Sequence, residues 1–307
     1  MSSLTLLAHA KINLTLDVVR RLPNGYHEVD MILQSLSLAD EVTLTALPEE
    51  PGVIRLTVEN PEAPGEDIPA DARNLAYRAA ALLAEDHAFP AGLSIRLVKH
   101  VPAAAGLAGG SADAAAVLAG TNRLFSLGLT EEDLAAYGVR LGADIPFCLT
   151  GGTRRARGIG EKLEILPAMP ACTVLLAKPA EGVSTAAVYG ALSIGTRPPY
   201  PHVATEDACR ALHEGDLEAL CGACGNLLQE VTQPMLPVIG ELAEHMKEHG
   251  ALAALMSGSG PTVYGIFTDA EAAGEAARSL PEGIRRAVTA PAAAGLSLAA
   301  GPGRSTT

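Results

Sequence analysis

The chain has 307 residues, with 22 Lys and Arg against 35 Asp and Glu, a formal net charge of -13 at pH 7. That balance argues against a nucleic acid or an anionic membrane as the main partner, and 48% hydrophobic with 19% charged residues argues against intrinsic disorder. Aromatics make up only 3%, with no Trp, too few for a platform that stacks single-stranded bases.

In chain order, Leu4, Leu6, Ala8, Ala10, Ile12, Leu14, Leu16 and Val18 are apolar at every second position, the strand period. Lys11 and Asn13 share the opposite face. Pro23-Asn24-Gly25 signals a turn, followed by strand-like runs through Val29, Met31 and Leu33, then Val42 and Leu44, then Ile54, Leu56 and Val58. A loop over 60–71 leads into a helical stretch over 72–86, and Leu93, Ile95 and Leu97 alternate as another strand. A small-residue segment then runs into a helix through Leu118 and Leu124. Thr130 to Asp133 reads as a capping box, opening a helix that ends near Gly142.

Residues 151–160, with Arg154, Arg155 and Arg157, read as a turn-rich hinge, and 173–177 as a strand. Helices are expected over 185–192, 206–213, 217–231 and 236–249. A strand, glycine loop, strand, helix and strand follow over 252–288, and 291–307 reads as a disordered tail. Strands and helices mix without regular alternation, so an α+β fold in two lobes is expected, divided as 1–155 and 156–290. The uncharged runs 250–268 and 287–303 approach membrane-span length, but Gly258, Gly260 and Pro261 interrupt the first and Pro291, Gly295 and Gly301 the second. No secretory signal is evident, and five cysteines at scattered spacings suggest reduced thiols. A cytoplasmic location is expected.

The strongest local signal is Pro102-Ala103-Ala104-Ala105-Gly106-Leu107-Ala108-Gly109-Gly110-Ser111-Ala112-Asp113, between a strand and a helix. Small side chains admit close approach of a ligand to the backbone, and free amides at a helix start favour an anion. The alternative is a flexible loop before an Ala-rich helix. A second cluster, Ser257-Gly258-Ser259-Gly260-Pro261, offers hydroxyls and amides for a diphosphate or serves as a tight hairpin. Asp144, in Gly142-Ala143-Asp144-Ile145-Pro146-Phe147, is a reactive carboxylate or an N-cap for a turn started by Pro146. Two weaker patterns point to metal: His245 and His249, four apart on one helix face, and Cys221 with Cys224. A solvated helix end and two unlinked thiols are the better readings.

Together these motifs resemble the GHMP small-molecule kinases. The resemblance rests on Ala10-Lys11-Ile12-Asn13-Leu14, the turn Pro23-Asn24-Gly25-Tyr26-His27, the loop over 102–113, the segment 142–147 and the Ser257 to Pro261 cluster. It implies an N-terminal ribosomal-protein-S5-domain-2-like lobe, a C-terminal ferredoxin-like lobe and an active site in the cleft between them. It further implies ATP-dependent phosphorylation, with magnesium, of the C2 hydroxyl of a cytidine-diphosphate methylerythritol. Homoserine-type or mevalonate-type kinases and a ligand-sensing module without catalysis are the alternatives.

By the same resemblance, residues 102–112 wrap the ATP phosphates with Lys99 nearby, and Asp144 is the catalytic acid or base with Lys11 beside it. An opposite charge within about 4 to 6 Å favours a carboxylate over its acid form. Asn13, Asp144 and Thr185 would contact the acceptor. Tyr26 would stack on the cytosine, His27 would hydrogen-bond its polar edge, and Tyr189 would close the opposite face. Ser111 is a candidate magnesium ligand. Family loops carry more glycine than this one; Ala at 103, 104, 105 and 108 fits where φ is negative, and Ala112 removes one hydroxyl contact to phosphate. The expected partner is a small molecule bearing a cytidine diphosphate group, and the expected assembly a monomer or weak homodimer.

Overall fold

The computed structural model describes residues 2–192 and 203–299. In chain order the elements are β1 (Ser3–Arg21), β2 (His27–Leu47), β3 (Ile54–Glu59), α1 (Leu75–Asp86), β4 (Gly92–Val98), α2 (Gly109–Phe125), α3 (Glu131–Leu141), α4 (Ile145–Thr150), β5 (Thr153–Gly158) and β6 (Lys162–Ile165). Then come β7 (Thr173–Lys178), α5 (Thr185–Ala191), α6 (Thr205–Glu214), α7 (Leu217–Ala223), β8 (Gly225–Asn226), α8 (Leu227–Met235), α9 (Val238–Glu248), β9 (Ala253–Met256), β10 (Val263–Phe267), α10 (Ala270–Ser279), β11 (Arg285–Thr289) and β12 (Leu296–Leu298). The mixture of two sheets and helices is the expected α+β fold.

The long hairpin β1-β2 centres the first sheet, ordered β12-β1-β2-β4-β3, with β5 also pairing β2, β6 pairing β5 and β8 pairing β1. Helix α2 packs on β1 and β2, and α1, α3 and α4 gather around α2. The alanines of α2, from Ala112 to Ala116, are buried, so small side chains let this helix sit close to the sheet. The second sheet is β11-β7-β10-β9, antiparallel throughout, backed by α9 and α10.

The apolar alternation of β1 is real, but it does not face one core. Leu6, Ala8, Leu16 and Val18 belong to a cluster with α1 and α2, whereas Ala10, Ile12 and Leu14 belong to a second with α6, α7, β7 and β10. Register shifts between His9 and Lys11 and between Asn13 and Thr15 account for the switch, because each slip of one residue moves side chains to the other face. The polar residues between them change sides too, which carries Lys11 and Asn13 into the cleft.

Three expectations are corrected. Residues 153–158 are not a hinge but β5, and Arg155 there is buried and paired with Asp30 and Glu206. The expected lobe boundary after 155 falls inside this strand. The single helix expected over 217–231 is divided, because Gly225 and Asn226 pair with Thr15 and Leu16 and the Asn226 amide donates to the Met256 and Gly258 carbonyls. Residues 291–299 are not a disordered tail: Pro291 bridges Leu36, Leu296 to Leu298 pair with β1, and the His9 ring meets Ser297 at 2.9 Å. The remainder of that expectation, 300–307, lies outside the described residues. The capping box at Thr130 is present, with Asp133 as its reciprocal partner. No helix among the described residues is long and apolar enough to cross a membrane.

Candidate active site

A cleft of about 1120 Å³ is lined by Lys11, Asn13, Tyr26, His27, Lys99, Asp144, Thr185, Tyr189 and most of the loop over 102–111. One drug-sized ligand takes a pocket of about 300 to 1,000 Å³, so this cleft has room for two small molecules side by side. It joins the five segments on which the kinase resemblance rests.

One end is built by β1 and the start of α4. The Lys11 ammonium, 5% exposed, lies 3.8 Å from the Asp144 carboxylate and donates to Asn13 Oδ1 at 2.8 Å. Asp144 occupies the N-cap position of α4 but its side chain caps nothing, and Pro146 removes one of the amides it could have capped. The carboxylate is therefore free of the structural duty that offered the plainest alternative. Asn13 is fixed in turn: its amide contacts the Met31 sulfur at 3.3 Å, and the buried Tyr264 hydroxyl donates to its carbonyl at 2.8 Å. Tyr264 was invisible to motif reading because its contribution is one long-range contact.

The small-residue loop joins this end to α2. The Lys11 amide donates to Leu107 O at 3.0 Å, and the first helical bond of α2 runs from Ala112 N to Ala108 O. The amides of Gly109, Gly110 and Ser111 precede that bond, so they are available to an anion at a positive helix end. Pro102 to Gly106, Ala108 and Gly109 to Ser111 line the cleft, whereas Leu107 and Ala112 are fully buried and turn inward. Ala112 thus faces the core, and its missing hydroxyl removes no contact on the cleft side. Ala104 and Ala108 have φ of +46° and +57°, so the negative φ at which alanine fits freely is not met at these two positions. Gly106, at φ +75°, admits no Cβ, which would stand 2.2 Å from Ser257 O.

The second glycine cluster is the β9-β10 hairpin connection and also braces the first. Ser257 Oγ donates to Gly106 O at 2.9 Å, and Ser259 Oγ lies 2.7 Å from the Thr185 hydroxyl. Both hydroxyls thus have protein partners.

Lys99 is at the cleft but its charge is committed. Its ammonium contacts Asp40 and lies 2.5 Å from Asp113, and Asp40 also accepts the amides of His100 and Val101 at 2.6 and 2.8 Å. The trio anchors the start of the loop over 102–111 to β2 and α2. Burial pushes the Asp113 carboxyl up to about 7, Lys99 pulls against this, and the Asp40 charge adds to it. Asp40 carried no local sequence signal, and Asp113, though it closes the small-residue segment, was given no role there, since the trio exists only once β2, β4 and α2 meet.

At the other end, the β1-β2 turn is closed by Leu22 N to Tyr26 O at 2.7 Å, with Gly25 at φ +87°. The His27 ring sits 5.1 Å from that of Tyr189, tilted 31°, while Tyr26 is 59% exposed at the rim. The close pair across the cleft is therefore His27 with Tyr189. Burial, then the Arg21 charge, lowers the His27 pKa, which favours a neutral ring.

The weaker metal patterns do not assemble. His245 and His249 face each other and share the Ser279 hydroxyl. Cys221 and Cys224 are free thiols, with Cys221 raised to about 12 by burial. No cluster of three or more metal-ligating side chains exists among the described residues.

A cleft walled by β1, β2, α5 and the β9-β10 connection, with a small-residue loop at a helix start and a lysine-carboxylate pair, is that of a small-molecule kinase, and the chain belongs to the GHMP kinase family. The model of the GHMP kinases N terminal domain matches residues 74–152 and that of the GHMP kinases C terminal domain residues 208–285. Within the family, the chain is 48% identical over 264 residues to 4-diphosphocytidyl-2-C-methyl-D-erythritol kinase of Geobacillus kaustophilus, covering 86% of this chain and 88% of that protein. A crystal structure of 4-(cytidine 5'-diphospho)-2C-methyl-D-erythritol kinase superposes with TM-score 0.76 at 33% identity, covering 94% and 98% of the two chains. Homoserine kinase from Cytophaga hutchinsonii also gives 0.76, at 20% identity and 97% and 98% coverage. The fold alone therefore does not choose the acceptor.

Proposed function

We propose that the chain is an ATP-dependent phosphotransferase acting on the C2 hydroxyl of 4-diphosphocytidyl-2-C-methyl-D-erythritol. It would yield the 2-phosphate and ADP in non-mevalonate isoprenoid precursor biosynthesis. The observation that carries the reading is the uncapped Asp144 carboxylate 3.8 Å from Lys11, in one cleft with the helix-start loop and the His27-Tyr189 pair. The relatives named above support the acceptor.

Phosphoryl transfer depends mainly on positioning and charge stabilisation. Asp144 accepts the acceptor's hydroxyl proton as the oxygen attacks the γ-phosphorus and the bond to the ADP oxygen breaks. Lys11, held by Asn13, keeps positive charge beside both the carboxylate and the moving phosphoryl group. The amides of Gly109, Gly110 and Ser111 receive the nucleotide's phosphates, and His27 with Tyr189 orients the base. Tyr26 flanks the base from the rim, and Thr185 meets the acceptor beside Ser259.

Magnesium, which usually keeps several waters and binds through few protein groups, fits a site offering one hydroxyl and no carboxylate cage; Ser111 would hold it. Bound there, it would neutralise charge on the phosphates. We place the enzyme in the cytoplasm as a monomer or weak homodimer, with no nucleic-acid or membrane partner.

The test is ATP consumption with 4-diphosphocytidyl-2-C-methyl-D-erythritol, homoserine, mevalonate and galactose offered separately. Transfer to the first alone is expected. Transfer to homoserine or mevalonate instead would keep the fold and overturn the acceptor. ATP binding without transfer to any of them would favour a sensing module.

A further inference from the structure

Two adjacent arginines end β1, and the sheet register sends them to different places. Arg20 stands opposite Glu28 and Arg21 opposite His27. Directly opposed residues of an antiparallel pair project from the same face, and neighbours along a strand from opposite faces. Accordingly Arg20 pairs with the Glu28 carboxylate, away from the cleft, while Arg21 joins His27 in lining it.

The charges of the cleft set Arg21 apart. Lys11 is paired with Asp144, and Lys99 with Asp40 and Asp113. Among the described residues, Arg21 is the one Lys or Arg lining the cleft without a carboxylate partner. In a chain with 35 acids for 22 Lys and Arg, a cation left open beside the base-binding pair calls for an anionic ligand.

A guanidinium has five donors and no acceptor, and its strongest partners are carboxylate and phosphate oxygens. The phosphates of ATP have their own cradle at the start of α2. The remaining polyanion, on the proposed reading of function, is the diphosphate that links the acceptor's cytidine to its alcohol. We propose that Arg21 is a specificity-determining residue that binds the diphosphate of the acceptor, selecting a nucleoside diphosphate ester over an uncharged alcohol. The proposal rests on the kinase reading above for the identity of the acceptor. It goes beyond that reading by assigning the charge recognition to a residue outside its motifs. The same cation beside His27 helps keep that ring neutral, so one side chain serves both parts of the ligand.

The test titrates cytidine diphosphate and cytidine, by calorimetry, into the wild-type protein, Arg21→Gln and Arg21→Lys. Cytidine diphosphate should bind Arg21→Gln about tenfold more weakly, the loss of one charge-assisted contact, with part of the affinity recovered in Arg21→Lys. Cytidine should bind all three alike. In turnover, KM for the cytidine-diphosphate acceptor should rise by a similar factor while KM for ATP holds. Equal affinity of wild type and Arg21→Gln for cytidine diphosphate overturns the proposal, as does an equal loss for cytidine, which would assign Arg21 to the base. Because the titrations need no turnover, they read the Arg21 contact separately from the kinase reading, which fails by itself if the wild type transfers no phosphate to the acceptor.

Discussion

The Lys11 ammonium lies 3.8 Å from the Asp144 carboxylate, although the two come from separate elements, strand β1 and the N-cap position of α4. At that separation the ammonium stands beside the carboxylate without a direct hydrogen bond to it. Asp144→Asn should lower kcat by about 10² to 10⁴, the range for a lost general base. Its circular dichroism and Tm should stay near wild type, because the side chain caps nothing. Lys11→Ala should reduce turnover as severely, and Lys11→Arg should not restore it, since a planar guanidinium cannot occupy the place of the ammonium beside Asn13. Near-normal turnover in Asp144→Asn would remove the mechanism.

Ala104 and Ala108 hold left-handed backbone that costs an L-residue roughly 1 to 2 kcal/mol. Glycine relieves this strain but adds unfolded-state entropy of roughly 0.5 to 1 kcal/mol. Ala108→Gly and Ala104→Gly should therefore each stabilise the protein by up to about 1 kcal/mol, read as a higher midpoint in urea at unchanged m-value. A lower midpoint in both variants would contradict the backbone geometry of this loop.

Residues 291–299 complete the first sheet. A chain ending at Ala290 loses β12, the Ser297 partner of His9, and the Ala292 carbonyl that accepts from Gln34. Its Tm should fall by several degrees relative to a chain ending at Ala299. Identical melting of the two truncations would mean that the strand contributes nothing. A related change, Gly151→Ala, should destabilise strongly, because its Cβ would stand 1.8 Å from Gly295 N at a φ of +66°.

The buried trio makes stability depend on pH. Asp113 is raised to about 7 from an ordinary carboxyl near 3.8, so between those values the native state keeps a proton that the unfolded chain releases. Stability from this group is thus highest in acid and declines as pH rises through that window. Lys99 is raised from a value already above 10 and does not titrate there. Asp113→Asn should abolish the decline, and the variant should gain on wild type between pH 5 and pH 7.5 in urea unfolding. Parallel stability profiles would show that Asp113 does not titrate in this range.

Much of the site was legible locally because its parts are short segments with their own conformational demands. Small residues from Pro102 to Ala112, placed between a strand and a helix, state a close-approach loop. Asn24-Gly25 states a turn that presents Tyr26 and His27. Tyr264, Asp40, Asp113 and Arg21 were not legible as site residues, since each acts through a partner more than five residues away in sequence. The misreadings at 151–160 and 291–299 have one cause. A glycine-rich or alanine-rich stretch carries little pattern, and β5 and β12 become strands only by pairing with β2 and β1.

By itself the sequence determined the strand period of β1, the capped start of α3, the small-residue loop before α2 and the residue types available for phosphoryl transfer. All of these follow from backbone preference and side-chain chemistry within a few residues. Only the tertiary structure decided which way those residues face. Two register shifts in β1 turn Ala10, Ile12 and Leu14 toward one core and Lys11 and Asn13 toward the cleft. A bulge is a property of two paired strands, so no periodicity read along one strand can contain it.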